Sequence, residues 1–321
     1  MNLLDGCPYG HIKRIALPAS VGYLFHTLFN VVDTFWAGKI STSALAALSI
    51  SFPAFFIVIA ACAGISRATS ALVANAIGAK NLEEARLVAA QSVILGCVIS
   101  VVITAMALVS LPYIFELLNA DAETTAHGMS YLRTIFAGAF SFILVNTLNA
   151  LLTARGNTKA LRNFLVVGFF LNLVLDPIFA FGYSDLIPAF GTKGLALATI
   201  LIEIFGLVYA AKITIREGLL PTELLAYKPR PYLLWKMLKQ VIPNFWGMMS
   251  IPAGEFIFLK IISSYGTVAV AAFGSALRIE SVALLPALGM NFSTLALVGQ
   301  ANGARDAARI REVIRATVKV G

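Results

Sequence analysis

The stretch FNVVDTFWAGK, residues 29–39, sets the central problem of this chain: an aspartate, Asp33, stands inside what otherwise reads as a helix buried in apolar surroundings. A surface helix of a soluble domain shows a polar outer face, and this one does not. The rest of the chain agrees, being 59% hydrophobic and 12% charged over 321 residues, about half the charged share usual for soluble domains. With a mean hydropathy of +0.85, the solvent that fits this composition is lipid.

Crossing a bilayer takes roughly 20 apolar residues. Runs of that length or more recur near 14–38, 45–77, 86–115, 129–154, 160–183, 193–215, 236–264 and 268–302, and a ninth begins after Arg311. Several exceed the minimum, which implies tilt, kinks or projection beyond the lipid. Lys and Arg concentrate in alternate loops: around Lys13 and Arg14, Lys80 and Arg86, Arg155 to Arg162, 212–239, and Arg305 to Arg315. The positive-inside rule then places the N-terminus in the cytoplasm. The net charge of +8 resides in these loops, so no nucleic-acid partner is expected. Cys7, Cys62 and Cys97 have neither metal-ligand nor redox spacing. The N-terminal segment lacks a cleavable signal, and the first helix is expected to be retained.

Shifting the chain by 225 positions superimposes Pro18 on Pro243, Gly22 on Gly247, Gly64 on Gly289, Thr69 on Thr294, Gly78–Ala79 on Gly303–Ala304 and Arg86 on Arg311. A six-helix unit therefore begins again at the seventh helix in the same orientation, the arrangement of two-lobed transporters with parallel repeats. The expected fold is an all-α integral membrane protein built as a two-lobed repeat of six-helix bundles. About eight full helices and part of a ninth are present, so the second lobe is incomplete and the chain reads as a fragment. The lobes divide as 1–215 (six helices), a cytoplasmic linker over 216–235, and 236–321.

A charge at the bilayer centre costs about 2.5–3.5 kcal/mol on insertion scales. His26, Asn30 and Asp33 follow i, i+4, i+7 and share one helix face; either a structural polar seam or an ion site would account for them. In FLNLVLDPIFAF, residues 170–181, Asn172 and Asp176 are a turn apart, and Pro177, lacking an N–H, frees the Leu173 carbonyl. Such an all-oxygen set suits a hard cation, with Na⁺ at Asp33, Asn172 and Asp176 as the candidate; a buried carboxyl can instead hold a proton. Thr199, early in the sixth run, is expected at the same depth. Glu255 occupies the repeat position of Asn30, three residues after Pro252, a second expected bend. Lys260 reads as a snorkelling or pairing group. For Arg67, Glu203, Arg278 and Glu280, structural pairing explains the charge at least as well as coupling. The three histidines are scattered and there is no P-loop. No enzyme and no cofactor are expected, and an ion gradient is the natural driver.

Taken in order, Pro18 followed by Asp33, ALAALSISFP (44–53), SALVANAIGAKNLEEAR (70–86), LNLVLDPIFAFG (171–182), KGLALAT (193–199), and RIES, LPALG and LVGQANGA between 278 and 304 resemble the multidrug and toxic compound extrusion (MATE) family. The resemblance implies twelve helices in two lobes and cation-coupled export across the cell (cytoplasmic, or inner) membrane by a monomer. It makes Asp33, Asn172, Asp176 and Thr199 similar to the family's cation or proton cluster. Pro18 matches a proline associated with bending of the first helix. Glu255 resembles an acid of a second-lobe site whose partner lies on a tenth helix, and Asn149 resembles a drug-cavity residue, as His26 and Asn30 are expected to be. The expected function is antiport of amphipathic organic cations against Na⁺ or H⁺ by alternating access. The alternative is a flippase for lipid-linked or anionic intermediates, with Arg67 and Arg278 as its hints.

Overall fold

The computed structural model describes residues 3–320 apart from 118, 119, 185, 222, 267, 268, 270, 271, 274, 275, 278, 279, 281 and 282. The described chain folds into α1 (Pro8–Ile40), α2 (Thr42–Gly78), α3 (Leu82–Leu117), α4 (Ala122–Ala137), α5 (Ala139–Ala154), α6 (Lys159–Phe181), α7 (Thr192–Arg216), a 3₁₀ turn at Leu224–Tyr227, α8 (Pro231–Ser263), α9 (Leu285–Gly303) and α10 (Ala307–Val320). Among the described residues α1, α2, α3, α6, α7 and α8 are long and apolar enough to cross a membrane, and α4 with α5 forms a bent seventh span. The protein is a multi-pass, all-α membrane protein.

Three expectations change. The run 129–154, read as one helix, bends by 47° between Ala137 and Ala139. Gly138 stands at the break, where a Cβ would come within 2.4 Å of the Ile200 side chain. The missing side chain thus lets α7 press into the corner, a recognised cause of kinks. The ninth helix begins at Ala307, ahead of Arg311, because Asp306 caps it: its Oδ1 accepts the Arg309 N–H at 2.9 Å. The run 268–302 lies partly outside the described residues, Arg278 included; the largest continuous part described is α9. The segment read as linker, 216–235, ends in helix, since α8 already starts at Pro231. Proline suits that first position because its missing N–H would have no helical partner there. Gln91 pins this segment to α3, donating to the Ala226 and Lys228 carbonyls and accepting the Arg230 N–H.

The repeat is visible as reciprocal contacts. At Gly78 a Cβ would fall 1.9 Å from the Gln300 carbonyl oxygen, and at Gly303 it would fall 1.9 Å from that of Asn75. Gly64 approaches the backbone of Val241 on α8, and its counterpart Gly289 approaches that of Ala16 on α1. All four pairings map onto one another under the 225-residue shift, so a pseudo-two-fold axis runs between α2 and α9. The turns agree: Lys80 (φ 59°) and Arg305 (φ 57°) both take the left-handed conformation after these helices. The next residue, Asn81 or Asp306, caps the following helix. α1 packs on α6 and α9, α2 packs on α5, α8 and α9, and α6 packs on α7.

Two outcomes are expected. Gly78→Ala or Gly303→Ala drives a Cβ into backbone that has no rotamer to yield, so each destabilises by roughly 1–3 kcal/mol. Gly254→Ala, where a Cβ meets nothing within 4 Å, leaves the melting temperature in detergent within a few degrees of wild type. At α4, Asp121 Oδ1 accepts the Thr124 N–H at 2.8 Å, which holds the carboxyl below the usual aspartate range. The cap is therefore intact above that range and lost as pH falls through the lowered value. Amide exchange at Thr124 speeds up over that acidic window in wild type, and at all pH values in Asp121→Ala.

Candidate functional site

Three helices bring the central residues together. Asp33 on α1 is 7% exposed, Asn172 and Asp176 on α6 are fully buried, and Thr199 on α7 is 6% exposed. Asn172 Nδ2 donates to Asp33 Oδ1 at 2.9 Å, joining residues 139 positions apart. The Asp176 carboxyl lies beside that of Asp33. Asp33, Asp176 and Thr199 sit some five to seven residues from the helix end away from the basic loops, roughly 10 Å along the axis at 1.5 Å per residue, and Asn172 lies one turn deeper on α6. Beyond them Trp36 packs edge-on against Phe181 at 5.9 Å, closing the α1–α6 seam.

The polar atoms here are only partly satisfied. Thr199 Oγ1 donates back to the Leu195 carbonyl at 3.0 Å. Both oxygens of Asp176 and the Asn172 Oδ1 are buried with no donor among the described residues, and Pro177 leaves the Leu173 carbonyl without its helical partner. Two adjacent carboxylates repel one another, and a proton or a small hard cation between them removes that repulsion. The donor set is all oxygen, which fits either ion.

A cavity opens next to this cluster, with about 30 Å³ of room for water-sized molecules, enough for one or two waters. His26, Asn30, Asp33, Thr199 and Glu203 supply its polar lining. His26, Asn30 and Asp33 thus share a face in the structure, as their spacing predicts. Asn149 is elsewhere: it is buried on α5, donates to the Val145 carbonyl at 3.0 Å and does not line this cavity. Glu255 is exposed on α8 and does not line this cavity. Pro18, Pro177 and Pro252 lie inside α1, α6 and α8, each of which continues through its proline.

Two participants carry more weight in the structure than in the sequence. Tyr131, on α4, lines the cavity near both aspartates; its place depends on the bend at Gly138, which no sequence spacing announces. Glu203 follows Thr199 by one turn on α7, and that i, i+4 spacing was the available signal.

The comparisons agree with this architecture. The MatE family model matches residues 18–178 and 243–321, two segments that begin at the repeat-related prolines. "Probable multidrug resistance protein NorM" of Thermotoga maritima is 29% identical over 94% of this chain, which spans 65% of that relative's length. The "FAD transporter" of Shewanella oneidensis is 24% identical over 98% of this chain and 70% of its own. The structure of a MOP superfamily transporter from Pyrococcus furiosus superposes with a TM-score of 0.90 at 30% identity, covering 99% of this chain and 70% of that one. This chain belongs to the MatE family of multi-pass membrane transporters.

Proposed function

We propose that this chain is the ion-coupling part of a secondary antiporter that exports amphipathic organic cations in exchange for Na⁺ or H⁺. The observation that carries the reading is the pair of buried carboxyls at Asp33 and Asp176, joined through Asn172 and left without a neutralising side chain among the described residues. A permanently ionised pair at this depth would be a standing penalty. An ion that comes and goes gives the pair a purpose. When a proton or Na⁺ from outside occupies the site, the α1–α6 seam is drawn together and one arrangement of the lobes is favoured. Substrate from the cytoplasm favours the arrangement that has released the ion. Coupling needs only that each ligand prefer a different state. The multidrug resistance relative supports the drug-like substrate class.

The N-terminus lies in the cytoplasm on this reading, with the basic loops, and the protein works in the cell membrane as a monomer. Na⁺, if it is the coupling ion, takes Asp33, Asn172 and Asp176 as ligands, and the ion is cargo rather than a resident cofactor. Thr199 adds a hydroxyl at the same level. Glu255 belongs to a second-lobe site whose partner would lie on a tenth helix. His26, Asn30 and Asn149 are assigned to the substrate path, and Pro18, Pro177 and Pro252 to helix bending.

A second reading rests on Arg67. Its guanidinium sits between α2 and α8, donating to Asn244 Oδ1 at 3.3 Å and to Met248 Sδ at 3.7 Å, with no carboxylate partner among the described residues. A cation held there without an anion suits a flippase or exporter of anionic molecules, and one relative is named an FAD transporter.

Liposomes loaded with ethidium, under an imposed Na⁺ or pH gradient, separate the two. Gradient-driven ethidium movement is expected in wild type and is expected to fall about tenfold or more in Asp33→Asn and in Asp176→Asn. Normal transport by both variants rejects the site; no cation movement under either gradient rejects the antiporter and favours the anionic reading. Orientation has its own check. Cys7 is exposed before α1, whereas Cys62 is buried within α2. A membrane-impermeant maleimide is expected to label Cys7 only after the cells are permeabilised, and labelling of intact cells reverses the topology.

A further inference from the structure

Glu203 has no role in the coupling pair, yet it faces the same cavity. It lies one turn after Thr199 on α7, and α7 runs toward the basic loops, so Glu203 sits roughly 6 Å nearer that end than Thr199. Its Oε2 is buried and accepts no hydrogen bond among the described residues, and no Lys, Arg or His among them forms an ion pair with it. An unpaired carboxylate in the membrane interior is expensive. A structural carboxyl would have recruited a donor, as Asp33 does from Asn172.

The walls around it say what it could receive. Phe29, Phe55, Tyr131, Phe142 and Phe164 line the cavity, and Phe55 meets Phe142 edge-to-face at 5.6 Å. Aromatic faces attract cations, the more so when water is excluded. A single carboxylate among aromatic rings is the environment that holds an alkylated ammonium, whose charge is diffuse and whose surface is apolar. A small hard cation needs the oxygen-rich set at Asp33 and Asp176 instead.

We propose that Glu203 is the counter-charge for the cationic group of the transported molecule, a second acidic station one turn below the coupling pair. The assignment rests on the antiporter reading and names the substrate class it serves: a monovalent ammonium or iminium carried on an apolar ring system. As it stands the cavity holds only one or two waters, so the cation and its ring system would occupy space created as the lobes part. With separate stations, ion and substrate need not compete for one carboxyl; they communicate through α7, which carries Thr199 at the level of one station and Glu203 at the other.

The test uses ethidium, whose charge does not vary with pH, with the protein in detergent for binding and in liposomes for transport. Glu203→Gln is expected to weaken ethidium binding and raise its KM by about tenfold or more, while gradient-driven turnover at saturating ethidium stays within about twofold of wild type. Asp33→Asn shows the opposite split, with turnover lost and binding retained. Glu203→Asp keeps the charge on a shorter arm and recovers part of the affinity; if Glu203→Gln does not fold, Glu203→Met, uncharged and of similar size, is the readout, and a wild-type affinity in it counts against the assignment. Wild-type ethidium affinity in Glu203→Gln, with Asp33→Asn still uncoupled, overturns the role of Glu203 and leaves the antiporter standing. A wild-type protein that neither binds nor moves ethidium overturns both.

Discussion

Hydrocarbon neither donates nor accepts a hydrogen bond, so every polar atom in this molecule has to be answered from inside the protein. Most are answered locally. Ser51, Ser92, Thr147, Asn149, Thr199 and Thr214 each turn back to the carbonyl four residues earlier, at 2.6–3.0 Å. That habit makes hydroxyls and amides tolerable in long apolar helices without tying helices together. The buried amide and carboxylate oxygens without a donor among the described residues are Asn172 Oδ1, both oxygens of Asp176 and Glu203 Oε2. All four belong to α6 and α7 and face the seam with α1. Other buried groups lack partners too, the N–H donors of Trp36 and Arg309 and the hydroxyls of Thr69 and Ser70, but they are scattered and, Arg309 apart, uncharged. The clustering of acceptor oxygen is therefore the feature that asks for a positive ligand.

The same constraint explains how the helices associate. Lipid offers no hydrophobic gain for bringing two helices together, so close approach of backbones at small residues does much of that work. Gly78 over Gln300 and Gly303 over Asn75 are such approaches. A polar bond crosses beside them, from Asn302 Nδ2 to Asn75 Oδ1 at 2.6 Å. Because the contact is reciprocal, it fixes the pseudo-two-fold relation between α2 and α9, the second helices of the two lobes. Packing at this end is firm, tied further by Gln300 to the Ala154 carbonyl and by Thr158 to that of Ile15. The residues proposed to couple the ion lie toward the other end, where α1 meets α6.

Sequence and structure divide the explanation unevenly. The apolar runs fix the helices because a bilayer-long stretch without charges has no other stable form in lipid. The 225-residue shift was legible because glycines and prolines are retained where backbone geometry demands them; Lys80 and Arg305, both left-handed, show that even the turns follow it. The oxygen cluster was legible in outline, since Asn172, Asp176 and Pro177 crowd into one turn and Asp33 interrupts an apolar run. Tertiary structure alone decided that Asn172 reaches Asp33, that Asn149 lies outside the cavity, and that Tyr131 lies inside it. It also set the 47° bend at Gly138, which apolar residues on both sides conceal because a straight helix and a bent one share the same hydropathy. Local pattern records which solvent each face meets; which helices share a seam depends on packing between segments more than a hundred residues apart, and that packing is where Asp33 meets Asn172 and Asp176 and shares a cavity with Glu203.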